Sequence, residues 1–184
     1  MTTRKSIVAI TGSLSQPSRT RRLVEDVAGR IQSRSGGAVT LIDVAEIGPD
    51  LGQAFSRAAA SPALEAALAA IESADLIVAG SPVYKGSYTG FFKHLIDLVD
   101  YKALAGVPVA LLATGGSDRH ALAVEHQLRP LFGSFDAHTL PTAVFVVDRD
   151  IVDGRVVNEG VARRLDNLVA EAAGALARPA AIAA

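Results

Sequence analysis

Five short apolar runs recur along this chain, and helical patterns stand between them. Residues 7–10 (closed by Gly12), 38–44, 74–80, 107–114 and 139–147 are rich in β-branched residues and too short for buried helices. Such runs fit strands covered on both faces of a parallel sheet. Helices are predicted at 18–34, with Leu23, Val24, Val27 and Ile31 on one face, and at 61–73, with Ser61 as cap and Pro62 at the first position. Three more are predicted at 91–98, 119–136 and 161–176. Residues 45–60 show no strong period and contain Gly48-Pro49 and Gly52, so they read as loop or broken helix. Strands alternating with helices imply right-handed crossovers and a doubly wound sheet.

With five strands the natural α/β architecture is a flavodoxin-like three-layer sandwich, a parallel sheet of order 2-1-3-4-5 with helices on both faces. Ligands of such sheets bind outside the carboxyl ends of the strands, so the loops after strands 1, 3 and 4 are predicted to face one pocket. A chain of 184 residues suits one domain, here 1–177, with 178–184 as a flexible tail. Hydrophobic residues make up 49% and aromatics 5%, the Ala, Val, Leu and Ile filling of an α/β core. The absence of cysteine excludes disulfides, thiolate catalysis and zinc–thiolate sites. A net charge of −1, spread along the chain, gives no field for nucleic acid and no polybasic membrane patch. No apolar run reaches the ~18 residues of a membrane span, and residues 1–5 lack a signal-peptide apolar region, so a cytoplasmic location is expected.

The loop after the first strand carries Ser13, Ser15, Ser18 and Thr20 together with Arg19, and it leads into a helix amino end. Free N–H groups, the helix dipole, hydroxyls and a guanidinium would hold a dianionic phosphate there. Pro17-Ser18 stands where a mononucleotide P-loop needs Gly-Lys, and Gly12 lacks the two further glycines of a dinucleotide fingerprint. A single terminal phosphate, as in FMN, suits the loop better; a plain turn with a Ser cap is the simpler alternative. After the third strand, Gly80 to Gly90 combines glycines, Tyr84, Tyr88 and Lys85. Pro82 and Val83 would present stiff backbone to a flavin ring edge, Tyr84 an aromatic wall, and Lys85 positive charge, unless the tyrosines simply pack on neighbouring helices. Gly115, Gly116 and Ser117, after the fourth strand, offer a third wall that lets backbone approach a ring. His94, His120 and His138 are not spaced as metal ligands, and no metal is expected.

Taken together, GSLSQPSRT (12–20), SPVYKGSYTG (81–90) and LATGGS (112–117) resemble the NAD(P)H-dependent FMN reductases of the flavodoxin-like superfamily. The likeness is greatest to the reductases of sulfonate utilisation. It implies a phosphate site at Ser13, Ser18, Arg19 and Thr20, and a ring site at Pro82, Val83, Tyr84, Lys85, Gly115, Gly116 and Ser117. In alkanesulfonate reductases the fourth helix carries an inserted tyrosine that makes a π-bulge at the subunit interface, and His126 occupies the matching position here. That departure points to the methanesulfonate branch; a solvent-facing helix residue is the plain alternative.

The resemblance further implies hydride transfer from NADH or NADPH to FMN, release of reduced FMN to a partner sulfonate monooxygenase, and a homodimer or homotetramer. No obligatory catalytic side chain is expected, because stacked rings exchange hydride directly. Two other readings use the same fold: a quinone or azo reductase with tightly bound FMN, and a flavodoxin-type electron carrier, which the weak net charge disfavours.

Overall fold

The structure is a computed structural model and describes residues 4–177 of the 184; the expected tail lies outside the described residues. Strands β1 (Ser6–Thr11), β2 (Ala38–Asp43), β3 (Leu76–Pro82) and β4 (Pro108–Gly115) pair in parallel in the order β2-β1-β3-β4. Two short strands, β5 (His138–Thr139) and β6 (Val144–Val147), then pair with β4 one after the other. This is the expected flavodoxin-like order.

Alternation along β1 explains the layering. Val8 and Ile10 enter one apolar cluster, Ile7 and Ala9 the other, and all four are fully buried. Helices α1 (Arg19–Ser35) and α6 (Glu159–Ala177) cover the second cluster. The first lies under α2 (Val44–Leu51), α3 (Pro62–Glu72), α4 (Gly90–Asp97) and the short α5 (Arg129–Gly133). Among the described residues no helix is long and apolar enough to cross a membrane.

Local chemistry sets the helix ends. Ser18 accepts the N–H of Arg21 and so caps α1, which stops at Gly36 in the left-handed region (φ 72°). Ser61 accepts from Leu64 with Pro62 in the first turn of α3.

At 45–60 the broken-helix reading holds: Asp43 caps α2 directly after β2, Pro49 lies inside that helix, and a 3₁₀ turn follows at Arg57–Ala59. Four other expectations are corrected. The third strand starts and ends two residues later than read, because the ladder carries through Ser81 and Pro82 to Ala113 and Thr114. The long helix at 119–136 is three pieces: a 3₁₀ turn at Asp118–His120, a π-helical turn at Val124–Leu128 and α5. Its interior bond runs from the Arg129 N–H to the Val124 carbonyl, five residues back, so one residue has been absorbed into a wider turn. The fifth strand is broken at 140–143, where Pro141 interrupts the run. Side chains take over the lost ladder there. Arg129 donates to the carbonyls of Leu140 and Pro141, Arg164 donates to that of Ala143, and Glu171 accepts the N–H of Thr142. A β-hairpin, β7 (Ile151–Val152) and β8 (Arg155–Val156), also stands where no element was expected.

Candidate active site

Four buried hydroxyl groups tie the strand ends together. Thr89 caps α4 by accepting the Phe92 N–H, and it donates to the Gly12 carbonyl at 2.7 Å. Ser81 accepts the Thr89 N–H. Thr20, in the first turn of α1, shares a 2.7 Å hydroxyl bond with Thr114 at the end of β4. The loops after β1, β3 and β4 are thereby held around one cavity of about 600 Å³.

The loop after β1 and the first turn of α1 give that cavity Ser13, Ser15, Pro17, Ser18, Arg19, Thr20 and Arg22; the ends of β3 and β4 and the residues after them give it Pro82, Val83, Tyr84, Thr114, Gly115 and Gly116. Tyr84 Oη and Ser15 Oγ lie 3.4 Å apart across the two sets. The N–H groups of Arg19 and Thr20 make no hydrogen bond among the described residues, as expected for the open first turn of a helix. Three neighbouring arginines are employed differently. Arg21 faces Glu25, Asp43 and Glu46, which together hold its guanidinium still more firmly charged, the bond to Glu25 contributing most. Arg19 has one carboxylate neighbour, Asp148 at 3.5 Å. Arg22 has none among the described residues. Two guanidinium groups are therefore left for a ligand.

Of the eleven cofactor residues read from the sequence, Ser13, Ser18, Arg19, Thr20, Pro82, Val83, Tyr84, Gly115 and Gly116 line this cavity. Two do not. Lys85 sits exposed at the tip of the turn closed by Tyr84 and Ser87, with φ 53°, and Ser117 caps the 3₁₀ turn by accepting the Arg119 N–H. The glycines differ as well. A Cβ at Gly115 would lie 3.1 Å from the Phe145 ring, which would have to give way slightly, whereas Gly116 faces open space. His126 lies exposed on the π-helical turn, whose neighbour Gln127 accepts a bond from Ser87 of the Tyr84 turn.

Sequence reasoning missed one wall. Asp148, Ile151, Asp153 and Gly154, at the end of β6 and in the hairpin, line the same cavity, as does Arg22. The available signal was Asp153-Gly154 between β-branched residues; both have positive φ (49° and 79°), as a two-residue hairpin turn requires.

The donor set suits FMN. The hydroxyls, open helix N–H groups and the Arg19 and Arg22 guanidinium groups of the first set match a phosphate, while the aromatic wall and bare backbone of the second match a flat ring. The fold is that of the flavodoxin-like oxidoreductases, and the cavity at its strand ends has the lining a phosphorylated flavin would need. The family model described as NADPH-dependent FMN reductase matches residues 6–151. The chain belongs to the NADPH-dependent FMN reductase family, oxidoreductases that work on FMN with a reduced nicotinamide dinucleotide. Among its relatives is an NADH-dependent FMN reductase, SfnF, of Pseudomonas putida, 51% identical over 76% of this chain and 75% of that protein. Another, SfnE of the same species, is 44% identical over 94% and 92%. A solved structure of an NADH:FMN oxidoreductase in its apo form superposes with TM-score 0.86 at 32% identity, covering 95% of this chain and 91% of that one.

Proposed function

We propose that this chain is a flavin reductase that takes FMN from solution, reduces it with NADH or NADPH, and releases the reduced form to a partner sulfonate monooxygenase. The observation that carries the reading is the single cavity joining the Ser13–Thr20 loop to the Pro82–Tyr84 and Gly115–Gly116 walls. FMN held there would supply the acceptor for a hydride from reduced nicotinamide. The chain's own residues hold and orient: Arg19 and the hydroxyl loop anchor the phosphate, and the walls fix the ring plane so that a second ring can stack on the open side. Half-exposed Tyr84 leaves that side accessible to a dinucleotide. The sulfonate partner is supported by the likeness of the three loops to the sulfonate-utilisation reductases. A homodimer or homotetramer through the π-helical turn is supported by exposed His126 on that turn and exposed Leu122 just before it; His126→Ala should then lower the oligomer's mass in solution.

The test is the rate of NADH oxidation in air by flavin-stripped protein as FMN is raised well beyond one equivalent. A rate that keeps rising supports an exchanging substrate; saturation at one FMN per chain, with stimulation by an added quinone, would give the quinone reductase reading instead. Arg19→Ala should weaken FMN binding by about 1.5 to 3 kcal/mol, the loss of a charged hydrogen bond, measured by flavin fluorescence. Unchanged affinity would remove Arg19 from the phosphate site.

A further inference from the structure

An anion cradle gains nothing from carboxylates, yet this cavity has two. Asp148 follows β6 directly, and its Oδ2 lies 3.5 Å from Arg19 Nη1. Asp153, in the turn of the β7–β8 hairpin, lines the same cavity. The charged residues of the lining are Arg19, Arg22, Asp148 and Asp153, which balance before any dianion enters. The Arg19–Asp148 pair is open to water, at 59% and 41% side-chain exposure, so it is screened and separates at little cost.

We propose that Asp148 competes with the phosphate of FMN for Arg19, and thereby keeps flavin affinity at the level of an exchanging substrate. The inference rests on the FMN reading above and adds a residue that reading did not use. While the cradle holds no phosphate, the guanidinium has a carboxylate partner. A phosphate entering must displace that partner and then remains close to its negative charge. Both effects favour release, and neither acts on the ring. Asp148 is thus an affinity-setting residue that acts through Arg19, and the distinction between a substrate flavin and a resident one lies partly in one carboxylate.

The experiment compares FMN with riboflavin, which has the same ring and no phosphate. Binding of each to flavin-stripped wild type and to Asp148→Asn is followed by quenching of flavin fluorescence, alongside KM for FMN and kcat. The expected result is a two- to fivefold lower Kd for FMN in the variant, about the range of an exposed ion pair, shrinking as salt is raised. Riboflavin affinity should stay unchanged, and KM for FMN should fall with Kd. An FMN affinity that is unchanged or weaker in Asp148→Asn overturns the proposal, as does an equal gain for riboflavin, which would place the effect on the ring. If wild type binds FMN no more tightly than riboflavin, the phosphate cradle itself fails. A wild-type preference for FMN with no response to Asp148→Asn keeps the cradle and removes only the competitor.

Discussion

The two helical layers cover the same sheet by different means. On one side, α1 and α6, of 17 and 19 residues, lay continuous apolar stripes over Ile7, Ala9, Leu76 and Val78. On the other side the longest element, α3, has 11 residues, and the π-helical turn and α5 have five each. A long helix meets most of its backbone hydrogen bonds internally and needs only a packing face. A short one leaves much of its backbone open at both ends. Charged side chains close the difference on the fragmented side. Arg57 binds Glu65, Glu72 and the Leu98 carbonyl, and Arg129 links Glu125 to the carbonyls of the broken fifth strand. The lesson is that fragmentation is tolerated where specific polar links stand in for helix length.

The sharpest way to break this contrast is to ask whether the fragmented side still depends chiefly on apolar packing. Phe92 is fully buried there, with Tyr88 and Phe132 ring centres 5.9 and 6.4 Å away, and it lies directly against Gly12 at the end of β1. Phe92→Ala should cost about 3 to 5 kcal/mol in denaturant unfolding. Leu168→Ala, in α6, should cost about 2 to 5 kcal/mol. If the phenylalanine proves the cheaper of the two, the polar links carry more of that layer than packing does.

A smaller effect probes the rigidity of the long-helix side. A Cβ at Gly80 would come 2.3 Å from Val24 Cγ2 of α1. Val24 is short, branched and fully buried, so the helix itself must shift to make room. Gly80→Ala should therefore destabilise by about 1 to 3 kcal/mol, and adding Val24→Ala should return part of that loss. No recovery in the double variant would mean that the strain lies in the strand rather than against α1.

These contrasts also explain what could be read in advance. The strand order followed from apolar runs such as 7–10 and 107–114, and the ends of α1 and α3 from Ser18 and Ser61-Pro62, because each signal is local and strong. Nine of the eleven cofactor residues fall on one cavity, because topology brings strand ends together. The break at 119–136 was hidden in the residues alone: Val124, Leu128 and Phe132 keep a helical spacing that a single absorbed residue does not disturb. Its position came only from the family resemblance at His126. The β7–β8 hairpin was missed because strands of two residues carry no periodicity, and with it went Asp148 and Asp153.

The smallest effect tests the polar links themselves. Glu125 lies in the π-helical turn, and its two-pronged bond to Arg129 holds its carboxyl below the usual 4.5, against the opposing influence of burial. A carboxylate whose pKa is lowered by folding adds stability above its unfolded pKa and loses it as pH falls through the folded value. Because the side chain is 39% exposed and screened, Glu125→Gln should cost only about 0.5 to 1 kcal/mol near pH 7. The cost should shrink steadily below about pH 4.5, as the wild-type carboxyl takes up its proton. Asp75 keeps its own slope in both proteins: burial opposes its charge, but Lys5 and the Ser6 N–H outweigh that and hold its pKa down. The difference between the two unfolding curves therefore isolates Glu125. On the long-helix side Arg30 pairs with Asp26 and Asp166 merely as surface decoration, and Arg30→Ala should change stability by less than about 0.5 kcal/mol at any pH. A Glu125→Gln cost that stays constant into acid would show that the π-helical turn depends on the shape of residue 125 rather than its charge, and the two layers would then differ in length alone.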